Sequence, residues 1–208
     1  MEDLERLKNE FTFASNKIYL AFDSTPWRPS YYVVEDDHMI EQHHREICQH
    51  IRGVKLVNAK WKDLFHGEGS VICYPWSHSP VREFPKFSGN ACDGLYCGYT
   101  VIFISLQLAY FMGFSRVYLL GVDFNYSLTN SGESSVEHAE FHPRDHFTPK
   151  YFTPGERRYL PQLDRAEKAL HCAKEFFEAD GRNVYNSTRG GKLEVFERVS
   201  LEDALRSG

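Results

Sequence analysis

The sequence predicts an α/β fold: a Rossmann-like three-layer sandwich, one domain over residues 1–208, on a mostly parallel sheet. Three observations predict it. Short β-branched and aromatic runs alternate with segments of helical period. The run "RVYLLGVD", residues 116–123, is apolar between Arg116 and its aspartate, the pattern of a parallel strand covered on both faces. Residues 161–180, "PQLDRAEKALHCAKEFFEAD", form an amphipathic helical stretch with Pro161 near its start and Gly181 at its end.

The elements follow in order. Residues 2–8 read as a short acidic helix, and "FTFASN" as a strand ending at Asn16. Pro26 and Pro29 punctuate the link to a second strand, "YYVVED" at 31–36, whose end carries carboxylates. Residues 38–51 place Met39, Ile40, Ile47 and Ile51 at helical spacing, with Asp37 as the expected cap. "VKLVNA" and "SVICYP" supply two further strands. Residues 99–112 are apolar nearly all round, as a helix buried on most sides must be, and Gly113 suits its C-terminal end. Residues 127–160 are polar and weakly periodic, a loop long enough to be functional and expected to form an active-site loop or lid. "NVYN" is a last strand, "STRGG" a turn, and residues 200–206 a final helical turn.

Composition excludes several function classes. The formal net charge is -5 and no basic stripe is present, so a nucleic-acid partner is not expected. The apolar run from Val101 to Phe114 contains Ser105 and Gln107 and is too short to span a bilayer. The five cysteines, Cys48, Cys73, Cys92, Cys97 and Cys172, are scattered and odd in number, which argues for reduced thiols and a cytoplasmic protein. Aromatic residues make up 15% of the chain, enough for a dense aromatic core or for aromatic-walled pockets.

Ligands of open parallel sheets sit beyond the carboxyl ends of the strands. The strand ends here are Asn16, the Glu35-Asp36-Asp37 trio, and Asp123-Phe124-Asn125-Tyr126, and they are expected to converge on one crevice. Asp and Asn also favour such turns for conformational reasons. The helix start "CGYT" offers free N–H groups and a positive dipole end, with Gly98 for close approach and Thr100 as a hydroxyl donor to a phosphate. The carboxylate trio suits either Mg²⁺ or helix capping. The loop "HAEFHPRDHFTPKYF" holds His138, His142 and His146 with Arg144, Asp145, Lys150 and Tyr151. A histidine there could take a proton from a hydroxyl, and Arg144, Lys150 or Tyr151 could stabilise a leaving phosphate. Pro143 breaks the helical spacing that a zinc site on these histidines would need. Near the C-terminus, Asn186, Ser187 and Arg189 flank a diglycine and could meet an anionic ligand, although the spacing is not that of a P-loop.

Taken together, "FTFASNKIYL", "PSYYVVEDD", "LQLAYFMGFSRVYLLGVDFNY", "DHFTPKYF" and "VYNSTRGGKLEVF" resemble the DUF115, or MptE-like, family over nearly the whole chain. That family is similar in fold to bacterial sialyltransferases that use CMP-sugars. Some members resemble a pterin pyrophosphokinase; others sit among flagellin- and surface-polysaccharide-modifying proteins and look like glycosyltransferases. The resemblance implies that Asn16 contacts a nucleotide and that Gly98 to Thr100 lies near its phosphates. It also implies that Asn125 or Tyr126 holds a phosphate and that His146, or else His142, is the catalytic base. The family opens with a strand and a Gly-x-Gly-Pro-Ser turn, and this chain begins just after the expected position of that element. A sheet edge left unpaired there would favour a homo-oligomer.

Three functions are therefore expected in order. The first is a glycosyltransferase-like enzyme taking a nucleotide-activated, CMP-linked sugar to a small-molecule or glycan acceptor, with no required cofactor. The second is a Mg²⁺-dependent pyrophosphokinase with Asp36, Asp37 and Asp123 as metal ligands. The third is a truncated, non-catalytic nucleotide-binding domain.

Overall fold

The structure is a computed structural model that describes residues 2–78, 81–126, 135–136, 146–151, 153 and 155–207. In chain order its elements are α1 (Glu2–Glu5), β1 (Phe13–Ser15), β2 (Tyr31–Val34), α2 (Asp37–His50), β3 (Val54–Asn58), β4 (Val71–Tyr74), α3 (Val101–Phe111), β5 (Arg116–Leu119), β6 (Ser135–Val136), β7 (Arg158–Tyr159), α4 (Leu163–Ala179), β8 (Asn183–Asn186), β9 (Glu197–Arg198) and α5 (Leu201–Arg206). The fold is α/β with parallel sheets, as the alternation of strand and helix patterns predicts. Two compact units emerge: Met1–Trp76 with Ser134–Leu160, and Ser77–Glu133 with Pro161–Gly208. Among the described residues, no helix is long and apolar enough to cross a membrane, and all five cysteines are free.

In the first unit, four parallel strands lie in the order β1-β2-β3-β4. Strand β2 lies inside this sheet, and Tyr32, Val33 and Val34 are all buried, which a strand covered on both faces requires. Tyr32 and Val34 share one side of the pleat and pack with Ile40, Ile47 and Ile51 from α2 and its C-cap. The spacing of those isoleucines is the period that predicts this helix. Its cap differs by one residue from the expected Asp37. The Asp36 carboxylate accepts from the Met39 N–H at 3.1 Å, and Asp37 is the first helical residue.

The second unit carries three parallel strands in the order β5-β8-β9. Helix α4 lays Ala166, Ala169, Leu170, Ala173 and Phe177 along one stripe, and these join Phe103 and Leu106 of α3 in the core. Helix α3 ends at Gly113, where Gly113 N–H donates to Tyr110 O at 3.0 Å and Phe114 N–H to Ala109 O at 3.1 Å, a Schellman end. Strand β5 is shorter than expected and not fully covered: Arg116 is exposed, Val117 and Tyr118 are half-buried, and Leu119 alone is buried. It is an outer strand of its sheet, with Val117 and Leu119 turned to the core while Tyr118 stacks on Tyr185 at 5.3 Å. The polar stretch 127–160 also holds more structure than a bare loop. β6 pairs antiparallel with β7, and Pro149–Tyr151 form a 3-10 turn.

Gln107 is the polar group on which this core depends. It is fully buried on α3; its Oε1 accepts from Ser88 N–H at 3.0 Å and Tyr96 N–H at 3.1 Å, and its Nε2 donates to Tyr96 O at 2.9 Å. Replacing Gln107 with Leu would orphan these backbone groups, each worth about 1–3 kcal/mol. Urea unfolding of Gln107→Leu should therefore show a loss of at least about 2 kcal/mol. An unchanged midpoint would show that the backbone of residues 88–96 does not rely on this side chain.

Candidate functional site

Backbone torsions mark the places where the strand tips are specialised. Among the described residues, the non-glycine residues with positive φ are Asn16 (51°), Tyr99 (58°) and Phe124 (55°). Each is a predicted ligand-facing residue or its immediate neighbour: Asn16 at the tip of β1, Tyr99 between Gly98 and Thr100, Phe124 between Asp123 and Asn125. Asn tolerates this region through local hydrogen bonding; Tyr and Phe do not, and cost about 1–2 kcal/mol each. Such conformations persist where surrounding structure enforces them, and they cluster at binding sites.

In the first unit, Asn16 is half-buried; its carbonyl accepts from Tyr32 OH at 2.8 Å. Its side-chain Oδ1 is shut off from solvent with no hydrogen-bond partner among the described residues. A buried acceptor left in that state suits a ligand N–H or O–H. The next residue, Lys17, is 3% exposed. Its Nζ donates to Tyr151 O at 2.8 Å and to both carboxylate oxygens of Glu156 at 2.8 and 2.7 Å. His43 Nε2 lies 3.1 Å from Glu156 Oε1. Tyr151 is buried, and its ring lies flat against the half-buried His146, with centroids 3.9 Å apart and planes 4° off parallel. His146 and Tyr151, two of the three expected catalytic residues, are thus in ring contact. His142 lies outside the described residues.

Asp36 and Asp37 are both engaged by protein groups. Asp36 caps α2, and burial raises its carboxyl above the usual value despite the Met39 and His38 N–H groups. Asp37 accepts from Lys60 Nζ at 2.7 Å and Trp61 Nε1 at 3.2 Å. Asp123 belongs to the second unit. Among the described residues no group of three His, Cys, Asp or Glu side chains is placed to hold a metal ion.

In the second unit, the tips of β5 and β8 interlock. Ser187 N–H donates to Leu119 O at 2.8 Å, Val122 N–H to Thr188 Oγ1 at 3.0 Å, and Lys192 N–H to Asp123 O at 2.6 Å. A Cβ on Gly191 would stand 2.5 Å from Asp123 O, so only glycine permits this approach. The Asp123 side chain accepts from Asn125 N–H at 3.3 Å, a local turn that leaves Asn125 exposed and Tyr126 half-buried. Arg198 braces the far side through Gly190 O at 2.8 Å and Thr188 O at 3.2 Å. Asn186 is spent internally: Nδ2 donates to Leu193 O at 3.0 Å and Oδ1 accepts from Thr188 N–H at 2.9 Å. Ser187 is buried, and its Oγ has no partner among the described residues.

Thr100 caps α3, its Oγ1 accepting from Ile102 N–H at 3.3 Å. The Cβ position of Gly98 is already filled. A Cβ there would lie 2.3 Å from the Phe103 ring, so Gly98 lacks a side chain to seat that core phenyl group. Tyr99 is held by an edge-on contact with Phe84 at 5.3 Å and by the Arg165 guanidinium 4.8 Å from its ring centroid. By unit, then, Asn16, Asp36, Asp37, His146 and Tyr151 fall in the first, and Gly98, Thr100, Asp123, Asn125, Tyr126, Asn186 and Ser187 in the second.

Compared with protein families, characterised proteins and solved structures, the chain matches none.

Lys17, Glu156 and His43 were not singled out from the sequence. The visible signals were a lysine directly after a strand tip and a histidine pair inside a helix, both too common to decide anything alone. Their electrostatics follow from burial. Burial pushes the Glu156 carboxyl up, but the hydrogen bonds and charge of Lys17 outweigh it and hold the group below its usual value. Burial and the Lys17 charge hold His43 below its ordinary 6.5, despite Glu156 and Glu46 nearby. A histidine depressed in the folded state adds stability that is present above 6.5 and is lost as pH falls through its folded value. Thermal unfolding at stepped pH should show stability falling below pH 6.5 in the wild-type chain. His43→Gln should flatten the upper part of that fall. An equal slope in both chains would show that His43 is not held neutral.

Proposed function

We propose that the chain is a glycosyltransferase-like enzyme that binds a nucleotide-activated, CMP-linked sugar and passes the sugar to a hydroxyl of a small-molecule or glycan acceptor. The observation that carries this reading is Asn16. It is a left-handed residue at a parallel-strand tip with a buried acceptor that has no partner among the described residues, and the resemblance assigns nucleotide contact to this residue. His146, set against Tyr151, takes the acceptor proton at its imidazole nitrogen. The acceptor oxygen then bonds to the anomeric carbon, the bond from that carbon to the phosphate oxygen breaks, and CMP leaves with the electron pair. The resemblance assigns phosphate contact to Gly98 to Thr100 and to Asn125 or Tyr126. The engagement of Asp36 and Asp37 by Met39, Lys60 and Trp61 favours sugar transfer over a Mg²⁺-dependent pyrophosphokinase, which would need those carboxylates for metal.

Two measurements test the proposal. Calorimetric titration should show CMP binding without Mg²⁺; binding of ATP only in the presence of Mg²⁺ would favour the kinase, and binding of neither would remove the catalytic reading. With CMP-linked sialic acid as donor, His146→Ala should lose about 10²–10⁴-fold in CMP release while still binding CMP. Full activity in a folded His146→Ala chain would exclude this histidine as the base.

A further inference from the structure

We propose that Lys17 is a positioning residue that sets the orientation of His146 through Tyr151. The inference rests on the reading of His146 as the base but begins from geometry that reading does not use. Lys17 is nearly sequestered from solvent, and an ammonium has three N–H donors. All three have acceptors: two go to the Glu156 carboxylate and one to the main-chain carbonyl of Tyr151 at 2.8 Å. The contact with Tyr151 is to backbone, so it fixes where the 3-10 turn Pro149–Tyr151 stands and hence where the aromatic ring points. The ring is the platform for His146, 3.9 Å away and parallel within 4°, and Phe147 meets its edge at 5.9 Å. The ammonium also lies 5.7 Å from the ring centroid, in range of the π face.

The remaining contacts brace the lysine. Glu156 is held from its other side by His43 Nε2 at 3.1 Å. The following residue, Arg157, exchanges two hydrogen bonds with the Gln42 side chain, N–H to Oε1 at 2.9 Å and O from Nε2 at 2.8 Å, and reaches Glu41 at 2.9 Å. Helix α2 therefore fixes Glu156, Glu156 fixes Lys17, and Lys17 fixes the turn that carries the platform. A misplacement of about 1 Å at a reacting group can cost on the order of 10²-fold in rate. An imidazole on a platform that a buried cation helps to hold is exposed to that loss.

The test uses the full chain and reads His146 directly. In side-chain ¹H–¹³C spectra, the ring current of Tyr151 should displace the His146 ring protons upfield. Lys17→Met should return them towards the positions of an unstacked imidazole. Lys60→Met, which removes the exposed Lys60–Asp37 pair of the same unit, should leave them in place. If Lys17→Met does not fold, Glu156→Gln keeps the side-chain shape while weakening the hold on Lys17, and His146 should move part of the way. Unmoved His146 resonances in a folded Lys17→Met or Glu156→Gln chain would overturn the proposal, as would an equal movement in Lys60→Met. With CMP-linked sialic acid, Lys17→Met should lower kcat by about tenfold or more with little change in the donor KM. Movement of His146 with no transfer by the wild-type chain would sink the transferase reading alone; wild-type transfer with His146 unmoved in Lys17→Met would sink the positioning role alone.

Discussion

A buried ammonium is the constraint on which the first unit's candidate site depends. Lys17 can be carried below the surface because its charge is met by Glu156 and its third donor by a carbonyl. Removing one member of such a pair leaves an uncompensated buried charge, at a cost of about 3–5 kcal/mol. Replacing both by well-packed apolar groups is often neutral or better. The pair is therefore weak as an explanation of stability and strong as an explanation of placement, since it ties a residue of the β1 tip to residues 151 and 156 far along the chain. The helix behind it was built for the same purpose. One side of α2 supplies isoleucines to the core, while His38, Glu41, Gln42 and His43 face the segment from Glu156 to Tyr159.

The second unit orders its strand tips with backbone hydrogen bonds that side chains brace. Tyr99 and Phe124 sit in a conformation that their side chains disfavour, so packing and neighbouring hydrogen bonds must hold them there. Phe124 is held by its place against the core and by the Lys192 N–H on the carbonyl of Asp123. That bond requires Gly191 to pass close to the same carbonyl, and Arg198 fixes the turn that delivers Gly191. Gly191 is thus a steric requirement of the β5 tip, while Gly190 has open space and a positive φ of 69°. The polar residues before it include Asn186 and Thr188, which share this task, and Ser187, whose hydroxyl has no hydrogen-bond partner among the described residues.

Local physics was legible in the sequence and long-range pairing was not. The α4 stripe, the apolar α3 with its Gly113 ending, and the isoleucine period of α2 are each written within one or two helical turns, and each is found in place. Two-residue strands such as β6, β7 and β9 carry no period long enough to read. The Asp36–Asp37 cap was missed by one position because both residues can cap, and only the backbone turn at Asp36 distinguishes them. At Gly98, a glycine before a helix suggests close approach of a ligand. The sequence could not show that the space belongs to Phe103, five residues on. Lys17 and Glu156 are separated by 139 positions, and no local pattern joins them.

The adjacency of Asn16 and Lys17 gives this unit its logic. A β-strand sends successive side chains to opposite faces, but a left-handed residue at its end breaks that alternation and turns the chain. At Asn16 the turn leaves one side-chain oxygen without a hydrogen-bond partner among the described residues and delivers the next side chain, Lys17, to Glu156 and the Tyr151 carbonyl. The carbonyl of Asn16 is meanwhile fixed by Tyr32, a fully buried residue of the adjacent strand. Any ligand that pulled on the Asn16 amide would pull on a peptide unit whose neighbours anchor the platform beneath His146. The two residues share one planar peptide, so the backbone that presents the Asn16 side chain also presents Lys17 to Glu156 and the Tyr151 carbonyl.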